Sequence, residues 1–228
     1  MSAAGPISPE EFAALMEPLG PFEPAPCLAA AVSGGSDSLA LALLADAWVR
    51  ERAGSLLALI VDHGLRPEAE REVRETVARL AGKGIAARIL SVNGLSRGPA
   101  LAERARQARY AILLNACRAH GILHLLLGHH ATDQAETVIM RALSSSGPAG
   151  LAGMARMTET RWLRVLRPLL AIPSVRLRAT VSAAGLDWVN DPSNTDRAAL
   201  RPRLRALRAD RDGTGAATAA LVDVAAAA

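Results

Sequence analysis

Short apolar runs alternate with longer segments of helical periodicity along most of this chain, and this alternation restricts the possible folds more than any other feature. The apolar runs predict strands at 27–32, 56–61, 86–92, 122–127 and 162–166. The periodic segments predict helices near 9–19, 39–50, 67–81, 100–120, 132–143 and 174–184. Strands separated by helices are typical of a parallel sheet covered on both faces. We therefore predict an α/β fold with a parallel, doubly wound sheet.

The other segments are arranged around one such domain. Residues 1–26, rich in proline, alanine and glutamate, are predicted to be an N-terminal extension, and residues 27–210 form the α/β domain. Residues 211–228 form a low-complexity tail, and the serine- and glycine-rich stretch at 144–153 is predicted to be a loop. With 228 residues, half of them hydrophobic, the chain is long enough for one domain with a buried core.

Charge is distributed unevenly along the chain. The net charge is +4, but residues 155–211 contain 12 arginines and 5 acidic residues, a local balance of +7. Such a segment favours a polyanionic partner, because phosphate neutralisation supplies much of the affinity for nucleic acid. A solvated arginine-rich surface is the alternative, and charge alone does not choose between them.

The two cysteines and the N-terminal sequence bear on the cellular compartment. Cys27 and Cys117 are far apart and belong to no Cys-x-x-Cys pair, so we expect reduced thiols rather than ligands of zinc or of an iron–sulfur cluster. The N-terminus has no basic start followed by an apolar run, and no apolar stretch is long enough to cross a bilayer. We expect a soluble cytoplasmic protein without a membrane partner.

Polar clusters directly follow three of the predicted strands, at 33–38, 62–66 and 128–134. The carboxyl ends of parallel strands meet at one edge of the sheet, and ligands bind at that edge in open α/β folds. We therefore expect the three clusters to form a single site.

The first cluster reads SGGSDS at 33–38, between a strand and a helix. Adjacent glycines permit a tight turn whose N–H groups approach a phosphate, and the helix N-terminus and serine hydroxyls add to the attraction. No lysine follows, so the loop is not a Walker A motif. Asp37 suits a phosphate site if Mg²⁺ lies between the carboxylate and the phosphate. The alternative is an ordinary strand–helix turn in which Ser36 or Asp37 caps the helix.

This hexapeptide resembles the PP-loop of the ATP-pyrophosphatase superfamily, whose members cleave ATP between the α- and β-phosphates. The resemblance implies an adenine-nucleotide alpha-hydrolase-like catalytic domain over 27–210, with ATP and Mg²⁺ as cofactors. Later motifs resemble the tRNA(Ile)-lysidine synthetase family within that superfamily. They read VDHGLR at 61–66, GHHATDQAET at 128–137, GLAGM at 150–154, LRPLL at 166–170 and DPSN at 191–194. Each is weakly specific alone, but the ordered set extends from 29 to 205.

The resemblance implies a two-step reaction at the wobble cytidine of a tRNA(Ile) with a CAU anticodon. ATP adenylates the C2 oxygen with release of diphosphate, and the ε-amine of free L-lysine then displaces AMP to give lysidine. The implied partners are this tRNA and free lysine, and a homodimer stays open. One alternative is a PP-loop tRNA thiolation enzyme, which the lack of cysteine pairs disfavours. The other is a nucleotide- or tRNA-binding protein without catalysis.

The resemblance also implies roles for individual residues. The implied catalytic residues are Asp37, His129, Asp133 and Glu136, where Asp37 also binds the metal and the two α-helical acids bind lysine. The implied ATP-binding residues are Ser33, Gly34, Gly35, Ser36, Asp37, Ser38, Asp62, His63, Arg109 and Gly128. Contacts to tRNA are implied for Arg201, Arg203 and Arg205. His130 is an alternative to His129 as donor to the α-phosphate, and Arg104 and Arg106 share the helix of Arg109. The alternatives are a turn-and-cap role for the two histidines, a second metal at the two acids, and exposed acidic or arginine faces of the helices.

The sequence departs from the family pattern at several positions. Thr132 stands where the first of two adjacent acids is usual, and the run at 144–146 lacks an arginine often found there. Pro202 replaces the asparagine of an Arg-Asn-x-x-Arg segment, so the local backbone and any asparagine contact must differ. We also expect the family's usual C-terminal tRNA-docking domains to be absent.

Overall fold

The computed structural model describes residues 5–64, 69–92, 98, 100–144, 151–189, 204, 210 and 212–227. The strands in these residues are β1 (Cys27–Val32), β2 (Ser55–Asp62), β3 (Ala86–Ser91), β4 (His124–Leu126), β5 (Met157–Glu159) and β6 (Arg164–Leu166). The α-helices are α1 (Pro9–Met16), α2 (Ser36–Arg50), α3 (Ala69–Ala81), α4 (Leu101–Ala119), α5 (Ala131–Leu143), α6 (Ser174–Ala183) and α7 (Ala216–Ala227). A 3₁₀ turn, Glu17–Leu19, follows α1.

The strands form one sheet in the order β3-β2-β1-β4-β6-β5. Neighbouring strands from β3 to β6 are parallel, which confirms the predicted α/β fold. The edge strand β5 is antiparallel to β6, and the sequence analysis did not predict it. Its three residues are too few to show an alternating pattern in the sequence. Their strand conformation depends on pairing with β6.

The strand order reverses direction between β1 and β4. The chain builds outward from β1 through β2 to β3, and then returns to place β4 on the other side of β1. The helices that follow β1 and β4 therefore leave the sheet in opposite directions, and a crevice opens between them. The loop after β1 and the segment after β4 both lie at this crevice.

Two apolar clusters pack on the two faces of the sheet. One face is covered by α2, with α1 and α6 packed against it, and includes Phe12, Leu39 and Leu177. The other face is covered by α4 and includes Leu113 and Cys117. Much of the core is small, with Ala29, Ala30, Ala40, Ala42 and Ala45 fully buried. This composition lets helices approach the sheet closely despite the scarcity of aromatic residues.

The two ends of the described chain pack onto the domain. In the N-terminal segment, Phe12 and Met16 are fully buried, and Arg176 pairs with Glu11 through Nη2 and Oε2 at 2.7 Å. In the C-terminal segment, α7 packs against α5, and the Asp210 carboxylate accepts the N–H groups of Gly213 and Gly215 just before the helix. Alanine-rich composition had indicated only low complexity at this position, whereas packing on α5 and the Asp210 turn stabilise a helix.

Several sequence expectations fall outside the described residues, including positions 65–66 and 190–194, Pro202, Arg201, Arg203 and Arg205. Across the described ranges, no helix combines the length and the apolar character that crossing a membrane requires.

Candidate functional site at the carboxyl edge of the sheet

The turn after β1 depends on glycine at position 34. Gly34 has φ +86°, and a Cβ atom there would lie 2.4 Å from Oγ1 of Thr76 on α3. Its carbonyl accepts the backbone N–H of Val189 at 2.9 Å, so the turn also contacts the segment after α6. A side chain at this position would face both a left-handed backbone and a clash.

The serine hydroxyls of the loop hold it together internally. Ser38 Oγ donates to the Gly35 carbonyl at 3.0 Å and accepts the Ser33 N–H at 3.1 Å. Ser36 Oγ donates to Oδ1 of Asp37 at 3.2 Å. These hydroxyls were expected to donate to a phosphate; in this conformation they brace the loop and orient Asp37, so donation to phosphate stays a prediction.

Helix α2 begins with its amide groups uncapped by any side chain. Its N-cap is Gly35, and no side chain in the described part of the chain accepts a hydrogen bond from the first turn. The alternative in which Ser36 or Asp37 merely caps this helix is therefore wrong. The first-turn N–H groups and the helix dipole remain available to an anion.

A cavity of about 620 Å³ opens at the switch point. It is bordered by the ends of β1, β2 and β4, by the loop after β1, and by parts of α3 and α4. The sequence-predicted residues that line it are Ser33, Gly35, Asp37, Ser38, Asp62, His63, Arg109, Gly128 and His129. The three polar clusters thus form one site, as expected from their positions at strand ends. Apolar side chains, including Leu59, Val61, Tyr110 and Leu113, complete its wall.

His63 and Arg109 set the electrostatics of one side of the cavity. Burial lowers the pKa of His63, the positive charge of Arg109 lowers it further, and Asp62 opposes both. His63 Nδ1 is buried and, among the residues that the structure describes, has no hydrogen-bond partner. Asp62 Oδ1 accepts the Gly64 N–H at 2.9 Å, which ends the strand in a tight turn. The lowered pKa favours a neutral His63 imidazole next to the Arg109 guanidinium.

The segment after β4 packs directly on the start of α2. A Cβ atom at Gly128 would lie 3.1 Å from the Asp37 carbonyl oxygen and 3.3 Å from Cα of Ser38. Glycine therefore permits the two loops to meet at the crevice. This close approach places His129 on the cavity and His130 behind it.

His130 has the capping role that the sequence left open as an alternative for the histidine pair, and it also connects the two loops. Its Nδ1 accepts the Thr132 N–H at 3.2 Å, so it caps α5. Its Nε2 lies 3.5 Å from Oδ2 of Asp37 and 3.4 Å from Oδ2 of Asp133. Because Nδ1 is an acceptor, the proton of the neutral ring is on Nε2 and points toward the two carboxylates. The adjacent histidines gave no signal in sequence to separate these roles.

Asp133 and Glu136 are the two acids to which the resemblance assigns lysine binding. The Asp133 side chain is 13% exposed, and its Oδ2 accepts the His130 backbone N–H at 3.1 Å, which completes a capping box. Glu136 is fully buried, and neither acid is among the residues lining the cavity. The exposed acidic face, the alternative at this position, is wrong. Lysine binding by these acids stays a prediction.

The same helix holds Gly153 and Met154, the last two residues of the motif marked at 150–154. Gln134 Oε1 accepts the Met154 N–H at 2.8 Å, and its Nε2 donates to the Met154 carbonyl at 3.0 Å. Arg141 donates to the Gly153 carbonyl at 2.5 Å. Thr132, which stands where the family usually has an acid, is buried. It packs against Gly213, where an added Cβ atom would lie 2.7 Å from Thr132 Oγ1. The neutral, compact threonine is compatible with this packing.

Arg106 contacts the wall of the cavity, whereas the two cysteines lie away from it. Arg106 stacks on Tyr110, with its guanidinium 5.2 Å from the ring centroid. Cys27 lies at the start of β1, at the opposite edge of the sheet from the cavity, and Cys117 is buried in α4. Burial raises the pKa of the Cys117 thiol to about 12, so it is not a thiolate near neutral pH.

The strand order and the glycine loop at the switch point define this chain as a nucleotide-binding α/β domain. More specifically, the chain belongs to the PP-loop domain family, whose model matches residues 7–209. This confirms the resemblance indicated by the motif at 33–38.

The similarity to named relatives extends over most of the chain. It is 46% identical over 205 residues to the tRNA(Ile)-lysidine synthase of Bradyrhizobium diazoefficiens, which covers 89% of this chain and 56% of that protein. It is 41% identical over 206 residues to the tRNA(Ile)-lysidine synthase of Rhodopseudomonas palustris, covering 90% of this chain and 60% of that protein. The chain therefore spans somewhat more than half the length of these curated relatives.

Among solved structures, the fold is similar to that of the U34-tRNA thiolase NcsA from Methanococcus maripaludis. The TM-score is 0.74 at 18% sequence identity, and the match covers 96% of this chain and 78% of that chain. At this identity the likeness shows a shared fold only.

Proposed function

We propose that this chain ligates the ε-amine of free lysine to C2 of the wobble cytidine in a tRNA(Ile) with a CAU anticodon, at the expense of ATP. One observation carries the proposal: the PP-loop, Asp37 and His129 surround one cavity at the switch point of the sheet. Similarity to proteins named tRNA(Ile)-lysidine synthase over 89% of the chain supports the choice of reaction.

The cavity suits ATP in size and in the placement of charge. Its volume of about 620 Å³ lies within the range of small-molecule sites. The uncapped start of α2 attracts the β- and γ-phosphates, and the apolar wall with Tyr110 and Leu113 suits the base. Arg109, which also lines the cavity, supplies positive charge. The neutral His63 offers a hydrogen-bonding group that does not repel the guanidinium.

The Asp37 carboxylate, in the loop proposed to hold the phosphates, fits Mg²⁺ as part of the bound nucleotide. Asp37 lines the cavity with its side chain 37% exposed, and Ser36 orients it. Within the described residues, no group of three or more His, Cys, Asp or Glu side chains forms a metal site by itself. Mg²⁺ commonly uses one or two carboxylates with substrate phosphates and water, and when bound it would neutralise charge on the leaving diphosphate.

In the first step, the cytidine C2 oxygen forms a bond to the α-phosphorus as the bond from that phosphorus to the diphosphate oxygen breaks. Negative charge develops on the α-phosphate oxygens and on the leaving group. His129, on the cavity, is the proposed donor to the α-phosphate, while the α2 amides hold the diphosphate. Donors already fixed in place lower the barrier because they need no reorganisation.

In the second step, the lysine ε-amine attacks C2, the bond from C2 to oxygen breaks, and AMP leaves. Asp133 and Glu136 are the proposed lysine-binding acids. Asp133 is held by the His130 N–H, and the ring of that histidine reaches both Asp133 and Asp37. Through His130, the proposed lysine-binding residue Asp133 is connected to Asp37 in the proposed diphosphate-binding loop. The attacking amine loses a proton, and the carboxylate that binds the amine, from Asp133 or Glu136, is the proposed acceptor.

The cytidine must leave its base stack to reach the cavity. A base in an anticodon loop is already unpaired, so its extrusion costs less than that of a base in a duplex. We further propose that Arg201, Arg203 and Arg205 contact the phosphates of this tRNA.

The direct test is incubation of the chain with ATP, Mg²⁺, radiolabelled lysine and an unmodified tRNA(Ile) transcript, followed by nucleoside digestion. We expect AMP, diphosphate and a labelled nucleoside in equal amounts. tRNA binding without AMP formation would support a non-catalytic protein instead. Incorporation of sulfur from a sulfur donor in place of lysine would support thiolation.

Asp37→Asn provides the matched variant, with Asp46→Asn as control. Asp46 lies on the same helix and pairs with Arg50 on the surface. We expect Asp37→Asn to reduce AMP release about a hundredfold or more while Tm is unchanged, since removing a fixed group on developing charge costs two to three powers of ten. Wild-type AMP release from Asp37→Asn would contradict the metal role, and Asp46→Asn should retain wild-type activity.

A further inference from the structure

An exposed tryptophan lies among arginines at the edge of the sheet opposite the cavity. Trp162 is 52% exposed, and the guanidinium groups of Arg118 and Arg161 lie 4.5 Å and 4.7 Å from its ring centroid. We call these three residues the basic–aromatic patch. Leu123, 48% exposed, lies beside it at the start of β4.

The patch is held in place by regular structure. Arg118 is in the last turn of α4, and Trp162 belongs to the turn that joins β5 to β6. Thr160 Oγ1 accepts the N–H groups of Trp162 and Leu163 and donates to the Leu163 carbonyl. A turn fixed by three hydrogen bonds presents its aromatic side chain at small cost in conformational entropy.

The arginines of the patch differ from several others on the surface. Arg50, Arg71, Arg74 and Arg178 each form an ion pair with an acidic side chain. In contrast, no carboxylate partner occurs for Arg118 or Arg161 among the residues that the structure describes. The acid on the same hairpin, Glu159, is opposite Arg164 in the strand register. The patch therefore carries positive charge that local acids do not neutralise.

We propose that the basic–aromatic patch is a second RNA-binding surface, which holds a part of the substrate RNA away from the base that enters the cavity. Guanidinium groups bind phosphates, and an exposed indole offers a face for an unpaired base. An acidic protein surface would match the charge but would not use the indole in this way. The inference depends on the proposed function only for the identity of the RNA.

The decisive measurement is the affinity of the intact chain for an unmodified tRNA with a CAU anticodon, over a range of salt concentrations. Trp162→Ala should weaken binding about fivefold to a hundredfold, the effect of losing one stacked base. Arg118→Gln with Arg161→Gln should also weaken binding and reduce the salt dependence by about one or two released counterions. Trp162→Phe should retain most of the affinity.

The control is the pair Arg50→Gln and Arg52→Gln, which removes the same charge at the end of α2. Arg52 also stacks on a tryptophan, with its guanidinium 4.1 Å from the ring of Trp48, but that indole is buried. We expect this control to bind RNA within about twofold of wild type, because neither arginine is assigned a phosphate contact and no counterion release depends on them. Equal losses in the control and patch variants would show a nonspecific charge effect and overturn the proposal.

Direct contact can be detected by fluorescence. RNA should quench tryptophan emission in the wild-type chain, and Trp162→Phe should lose most of that quenching while retaining binding. Unchanged affinity in Trp162→Ala and the arginine pair, or no RNA binding by the wild-type chain, would overturn the proposal. So would variants that lose affinity for polyglutamate but bind RNA normally, because that result indicates a protein partner.

The outcomes separate this inference from the proposed function. RNA binding that depends on Trp162, without incorporation of lysine, would contradict the ligase assignment and leave the patch standing. Lysine incorporation with normal kinetics in the patch variants would support the ligase assignment and contradict the role of the patch. All variants should bind ATP as the wild type does, because the patch lies at the amino ends of β4 and β6.

Discussion

The contacts of His130 allow its two roles to be separated by substitution. The ring caps α5 through Nδ1 and approaches Asp37 and Asp133 through Nε2. Asparagine can reproduce the cap, because its side-chain oxygen occupies a position similar to Nδ1, but it is too short to reach the carboxylates. Glutamine places a donor close to the position of Nε2 and caps a helix poorly. His130→Asn and His130→Gln therefore remove different interactions.

The expected magnitudes follow from these contacts. Removing a group that orients a metal ligand typically costs about tenfold to a hundredfold in metal affinity or activity, so His130→Asn should lose that much. Its Tm should change little, since the cap persists. His130→Gln should keep most activity but lose about 1 kcal/mol of stability with the cap, which corresponds to a Tm decrease of about 2–4 °C for a chain of this size. His130→Ala should show both losses.

Two measurements distinguish these outcomes. Titration of Mg²⁺ in ATP–diphosphate exchange gives the metal dependence of the first step, and ATP binding measured with and without Mg²⁺ gives the same quantity without turnover. His130→Asn should shift the Mg²⁺ dependence in both. If His130→Asn and His130→Gln lose activity and stability in the same proportion, the histidine serves the fold alone and the positioning argument is refuted.

Two further predictions concern the fold around the site and the opposite edge of the sheet. Gly34→Ala should reduce stability by about 2–4 kcal/mol and weaken ATP binding, because it combines a left-handed φ with a clash at Thr76; adding Thr76→Ala should recover part of the stability in denaturant unfolding, and no recovery would contradict the clash. At the other edge, burial lowers the pKa of His124, whereas its hydrogen bond to Glu23 opposes that shift. A lowered folded pKa means that the unfolded state binds the proton more tightly, so stability should fall as pH decreases from 7 toward 5. His124→Gln should flatten this slope in unfolding curves measured at several pH values; an unchanged slope would assign it to other groups, including His63.

Local sequence properties determined much of the architecture. Apolar runs and helical periodicity located five strands and most helices, because burial on a sheet or along a helix face imposes its period on the residues themselves. The position of polar clusters after strands located the site, since the carboxyl ends of parallel strands converge at one edge. The glycine pair located the turn after β1 for a different reason, because the left-handed backbone at Gly34 excludes most side chains.

Contacts between distant segments were decided only by the tertiary structure. Strand β5 forms because β6 supplies its hydrogen bonds, and α7 is stabilised because it packs against α5. His129 and His130 are neighbours with the same chemistry, yet the turn after β4 directs one to the cavity and the other between two carboxylates. Burial of Glu136 and exposure of Trp162 likewise depend on what packs above each side chain, and no local pattern of residues encodes that packing.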